Sequence, residues 1–472
     1  MIRKLIYLFL FILLSADLAY SFIQHINQPL DGDMAAGIVS NSVILPILES
    51  PIGLDAILYD RHYANPNKFF SHWSMKEYFL NIPLFLQRYT DPVNSVYLAC
   101  AIFKIFIQLL LIYLISVAAS GTFNILRMDF IISSVLITSF FQTNGYRSVM
   151  GIIDPCPTYN FFYSLPLAFL LILLLPLLLT YFHEKQWNAF IAIPYLFLSV
   201  IVTLSGPINP GVILVISLLV AVNEYINYRK EKATNLIKHL LVERKLLILI
   251  LTPAAIMSVY SLYLGTYNII TIDAWIPLSE MYSRLLEGIF YQFFRKPGFP
   301  VLFIGIAINA IILRKKCNDH ESQKLVSTLN WILIFSAVYI VLLPLGGYRE
   351  YRSHILRYDT IMPVTIALIF YFTASTVYLL KHYRPFNKSY PVIPLIVFFV
   401  FTIADEPGFH KADREKKALH LISQSTEKVI QIEPDVKVLS WGNIERPEDS
   451  ELNSQLLMIW NITNERKWYY NK

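Results

Sequence analysis

The chain reads as an all-α protein threaded about eleven times through a membrane, and three features carry that reading. Of its 472 residues, 56% are apolar and only 15% are charged, and the mean hydropathy is +0.51. A water-soluble domain carries roughly a quarter charged residues, so this chain lacks the polar surface a soluble fold needs. The apolar residues also fall in runs long enough to cross about 30 Å of hydrocarbon as helices, which takes about 20 residues. Aromatics are abundant, with 32 Phe, 30 Tyr and 7 Trp, as interfacial belts require. Together these features exclude soluble enzymes, nucleic-acid-binding proteins and disordered scaffolds.

In chain order the spans are expected near Leu5–Phe22, Val96–Ala118, Phe130–Phe141, Phe161–Phe182, Ala189–Leu204 and Val212–Ile226. Five more follow near Leu246–Leu264, Phe299–Leu313, Leu329–Leu345, Ile361–Leu380 and Pro391–Thr402, and the third and last of the eleven are short. Arg3 and Lys4 precede the first run, and no small-x-small cleavage site follows it, so it reads as a retained signal anchor. Placing that pair inside puts the more basic alternate loops on the same side. Those loops include Arg229, Lys230, Lys232, Lys238, Arg244 and Lys245, then Arg314, Lys315 and Lys316. The positive-inside rule then gives a cytoplasmic amino terminus and an extracytoplasmic carboxyl terminus. The net charge of +6 is accordingly a topology signal before it is a sign of an anionic partner. Cys100, Cys156 and Cys317 form no CxxC pair, so they indicate neither a disulfide framework nor a zinc site.

Three segments are too large to be connectors. The first outside loop, Gln24–Asn94, holds apolar runs at Ile38–Leu48 and Ile52–Leu58 that Pro46, Pro51 and Gly53 break, and these read as helices lying along the membrane surface. A second outside loop, Thr266–Gly298, carries Trp275, Pro277 and a helical stretch Ser279–Phe294. The tail is conventionally polar and reads as a small α/β unit. It is expected to form a helix at Lys411–Gln424, a strand at Val436–Trp441 and a second helix ending in Lys467, Trp468, Tyr469 and Tyr470. The expected division is a membrane module over residues 1–403, with its first outside loop at 24–94, and an extracytoplasmic tail over 404–472.

The cytoplasmic loops are short and basic and hold no Gly-rich phosphate loop, so ATP-driven transport is disfavoured and chemistry is expected on the outer face. The sharpest feature there is Asp31-Gly32-Asp33, a few residues after the first span. Two carboxylates separated by one glycine can supply a general base or share a divalent cation; equally, either one can cap the helix that follows. The second feature is the run from Gly346 to Asp359, with Arg349, Arg352, Arg357 and Tyr358. Guanidinium groups grip phosphate by forked, charge-assisted bonds, and positive charge on the outer side runs against the topological trend. The alternatives are a lipid-headgroup anchor or pairing with Glu350 and Asp359. Weaker candidates are Arg147 with Asp154, where Asp154 is equally a turn residue before proline, and Arg295-Lys296, which serve equally as interfacial anchors. His25, His62 and His72 lack ligand spacing and read as surface residues. Asp17, Lys104 and Glu224 lie near enough to span ends to snorkel.

One span, a long outside loop with an early acidic motif, about ten further spans and a small outside tail resemble the GT-C superfamily of polyprenyl-phosphate-sugar-dependent glycosyltransferases. Size and tail are reminiscent of its serotype-converting O-antigen glucosyltransferases. The resemblance implies a catalytic base at Asp31 or Asp33, a second acidic residue at Asp154, and lipid-phosphate ligands among Arg349, Arg352 and Arg357. It also implies a hexosyltransferase of a bacterial inner membrane, with a polyprenyl-phosphate sugar as donor, a lipid-linked glycan as acceptor and no nucleic-acid partner. The rival readings are a lipid-linked oligosaccharide flippase or secondary transporter, an O-antigen polymerase or ligase, and a structural subunit. A transporter is expected to show paired broken helices and mid-bilayer charges. Asn461-Ile462-Thr463 is a glycosylation sequon that has meaning only in a eukaryotic lumen.

Overall fold

The computed structural model describes residues 2–206, 208–230, 244–272, 276–346, 350–384 and 387–471. Arg349, Lys232, Lys238 and Trp275 therefore lie outside the described residues. Among the described residues, eight helices are long and apolar enough to cross a membrane: Lys4–Ile26, Pro92–Ser120, Pro157–His183, Asn209–Arg229, Lys245–Gly265, Gly298–Lys316, His320–Gly346 and Met362–His382. The protein is thus an integral membrane protein of helical architecture. The other three expected spans are apolar helices of only 11, 12 and 13 residues, Met128–Thr138, Ala192–Thr203 and Val392–Ala404.

Local chemistry explains where these helices begin. Asp91 accepts the Asn94 N–H at 3.1 Å, and Pro92 takes the first helical position, where its missing N–H costs nothing. Asp319 caps His320–Leu342 in the same way through the Ser322 N–H. Burial sets their roles: 89% of the most apolar stretch of Met362–His382 is enclosed, against 6% for Lys4–Ile26. The former is a central post and the latter a peripheral one. Pro92–Ser120 packs beside the post, and its Phe103 stacks on Phe161 at 3.7 Å.

The first loop contains more helix than expected. Short helices Met34–Ile38, Leu45–Glu49 and Leu54–Leu58 are followed by Phe69–Leu86, which the sequence reading missed. Aromatic residues on all its faces, Lys76 and Glu77 in its middle and Pro83 near its end erase the amphipathic period that would have marked it. The helix expected in the second long loop, Leu278–Phe294, lies where the pattern puts it.

The tail corrects one expectation. Asp413–Gln424 is helical, but Val436–Trp441 is not a strand. Positive φ values at Asp435 (60°) and Leu439 (47°) break the extended path, and Val436, Val438 and Leu439 simply bury their side chains. The strands are β1, Val429–Ile432, and β2, Trp468–Asn471, which pair in parallel with Val429 opposite Trp468. The second tail helix therefore ends at Ile459, and Lys467 instead donates to the carbonyls of Ile422, Ser423 and Ser425 at the end of the first. Buried Trp460 locks the tail to the first loop, donating from Nε1 to the Phe79 carbonyl at 2.9 Å.

Two further expectations are overturned. Lys104 does not snorkel: it is 1% exposed and donates to the Pro155 carbonyl. His25 and His72 are buried rather than on the surface. His25 Nε2 meets Gln108 Oε1 at 3.1 Å, and the His72 ring packs on Phe162 at 4.7 Å. Glu224 is buried and ion-paired with Arg244 at 2.9 Å.

Candidate functional site

Asp31 and Asp33 have different environments. Asp31 is 2% exposed and accepts three bonds: from the Asp33 N–H at 3.0 Å, and from the Thr158 N–H and hydroxyl at 2.8 Å each. Burial pushes its carboxyl up to about 6, against the pull of those bonds. Asp33 stands at the start of Met34–Ile38, but its side chain makes no capping bond. It is only half-buried, and among the described residues its carboxylate bonds to Trp441 alone, accepting from Nε1 at 3.1 Å. Asp31 is therefore the enclosed, fully bonded member of the pair and Asp33 the accessible one. Gly32 between them is required by close approach, because a Cβ there would lie 2.6 Å from the Trp441 backbone nitrogen.

Asp154 is held from both sides. Its Oδ1 accepts the Cys156 N–H at 2.8 Å, the turn that Asp before Pro favours. Its Oδ2 meets Arg147 at 2.6 Å and the Tyr358 hydroxyl at 2.6 Å. Arg147 also lies over the Tyr358 ring, 4.3 Å from its centroid. Asn160 folds the preceding loop back on itself: its Oδ1 accepts the Asp154 N–H, and its Nδ2 donates to the carbonyls of Asp154 and Cys156. It sits in a π-helical turn, Asn160–Ser164, a local insertion often found at functional sites.

The late arginines take the expected alternative in part. Arg357 pairs with Asp359 at 2.7 Å, and Arg352 reaches the same oxygen at 3.8 Å. Asp359 is 2% exposed, and burial pushes it up to about 6 although Arg352 pulls it down. Arg284 donates to the carbonyls of Glu350 and Arg352 at 3.0 and 3.1 Å and so shapes this loop. Arg295 lies over the Tyr291 ring at 4.5 Å, and Lys296 bonds to the Gly145 carbonyl.

The groups from distant parts of the chain do converge. Thr158 donates to Asp31 through its N–H and hydroxyl, Asp154 bonds to Arg147 and to Tyr358 of the late loop, and the Tyr159 ring lies beside Trp441, which donates to Asp33. The wall thus runs from the first-loop acids through residues 154–159 to the late loop. Thr158, Tyr159, Trp441 and Glu415 belong to it and were not foreseen; a polar cluster at a span entrance was the only available signal. Among the described residues no group of three or more His, Cys, Asp or Glu side chains is arranged to hold a metal.

Glu415 joins the tail to this wall. It is 3% exposed and accepts from the Leu30 N–H at 2.9 Å, the Tyr97 hydroxyl at 2.8 Å and the Leu439 N–H at 3.4 Å. Burial raises its carboxyl from 4.5 to about 7 against those donors. The folded chain therefore holds this proton more tightly than the unfolded one, and the group's contribution to stability falls as pH rises from 4.5 to about 7. The difference in thermal midpoint between wild type and Glu415→Gln in detergent should shrink over that window. A difference that stays constant or grows would contradict it.

Comparison with known proteins brings no match: no family model fits the chain, and neither a curated protein nor a solved structure matches it.

Proposed function

We propose that the protein is a GT-C-like membrane glycosyltransferase that moves a hexose from a polyprenyl-phosphate donor to a glycan acceptor on the extracytoplasmic side of a bacterial inner membrane. The observation that carries this reading is that residues 154–159 join the two candidate regions: Thr158 donates to Asp31, two residues before the base candidate Asp33, and Asp154 accepts from Tyr358 of the arginine-bearing late loop. Asp33 takes the proton of an acceptor hydroxyl as that oxygen bonds to the anomeric carbon. The anomeric carbon–oxygen bond to phosphate breaks with its electron pair, giving the glycoside and polyprenyl phosphate. Arg352, loosely paired at 3.8 Å, neutralises the departing phosphate. Asp31, Asp154, Arg147 and Tyr358 hold the wall in shape.

The test uses purified protein in vesicles with a radiolabelled polyprenyl-phosphate hexose and a membrane glycan fraction from the host. Label transferred to glycan supports the reading, and label crossing the bilayer unaltered makes the protein a transporter. Arg352→Ala should raise the donor KM about tenfold or more, the worth of a bond between charged groups, with the acceptor KM little changed. An unchanged donor saturation curve removes Arg352 from phosphate binding.

A further inference from the structure

Trp441 has an environment that packing alone does not explain. Its backbone is pressed against Gly32, and its Nε1 is spent on Asp33, yet the residue is 49% exposed. The ring lies beside Tyr159, with centroids 6.1 Å apart and planes inclined by 34°. A large apolar ring is thus held in place by its edge and its backbone while about half of the residue stays exposed, next to a carboxylate whose second oxygen makes no bond among the described residues.

We infer that Trp441 and Tyr159 form a platform for a neutral hexopyranose unit of the acceptor, an inference that rests on the transferase reading above. A pyranose has an apolar C–H face and a hydroxyl rim. Its slightly positive C–H groups suit the negative face of an aromatic ring, and its rim hydroxyls suit a carboxylate acceptor. The platform lies on the acceptor side, because the residue bonded to Trp441 is the base that must meet the acceptor hydroxyl, whereas Arg352 and Asp359 belong to the late loop. Trp441 holds Asp33 Oδ1 and leaves the second oxygen for that hydroxyl. Uronic acids are disfavoured, since their carboxylate would face Asp33.

The test uses the full chain in lipid nanodiscs with 5-fluorotryptophan incorporated, the Trp441 signal being assigned by its loss in Trp441→Phe. Cellotriose, maltotriose and mannotriose are titrated, with tri-galacturonate as the charged control. At least one neutral trisaccharide should move the Trp441 signal saturably, and the charged one should not. Trp441→Ala should weaken that binding about tenfold and Trp441→Phe by less, with the other fluorotryptophan signals unmoved as the check on folding. Asp33→Asn should still bind. No shift with any neutral trisaccharide, or equal binding by Trp441→Ala, overturns the platform. Binding at Trp441 without sugar transfer from any polyprenyl-phosphate donor keeps the platform and removes the transferase reading. Transfer whose acceptor KM is the same in Trp441→Ala removes the platform and keeps the transferase.

Discussion

Asp33→Asn is expected to cut sugar transfer about 10²- to 10⁴-fold, the usual worth of a general base, while leaving the protein as stable as wild type. The amide is the same size as the carboxylate and still accepts the Trp441 Nε1 bond, but it cannot take a proton at neutral pH. Asp33 is half-buried and makes no capping bond, so the stability change should stay within about 0.5 kcal/mol. Initial rates with a radiolabelled donor, paired with thermal unfolding in detergent, check both halves. A variant with full activity would eliminate Asp33 as the base.

The opposite pattern is expected two residues earlier. Asp31→Ala strands the Thr158 N–H and hydroxyl and the Asp33 N–H, and each buried donor left without a partner costs about 1–3 kcal/mol. Relief of the buried charge, which already has its carboxyl pushed up to about 6, offsets part of that. A net loss of about 2–4 kcal/mol should appear as a lowered thermal midpoint and poor yield of folded protein, with activity falling alongside. Stability equal to wild type together with lost activity would instead give Asp31 a direct chemical role and reverse the division of labour between the two acids.

That division was beyond the reach of the Asp31-Gly32-Asp33 motif itself. As a local pattern it offered a base, a cation site or a helix cap, and the two carboxylates are chemically equal. What separates them is contact with Thr158, 127 residues away, and with Trp441, 408 residues away. Asp154 shows the same limit from the other side: the turn before proline was legible because it is made by neighbours. Its bonds to Arg147 and Tyr358 depend on the late loop folding back, as does the sharing of Asp359 between Arg352 and Arg357. Lys104 was misplaced because a lysine near a span end ordinarily reaches for water, and only the loop carbonyl of Pro155 gives it an interior partner.

The amino-acid order by itself determined that this is a helical membrane protein and roughly where its helices run. Hydrocarbon leaves the backbone no hydrogen-bond partner but itself, so the length and polarity of each run decide the matter locally. The tertiary structure alone decided which polar side chains are locked and which stay open. A buried polar atom must be satisfied by whichever donor or acceptor the fold brings to it, and in this chain those partners come from the ends of distant helices and from the tail.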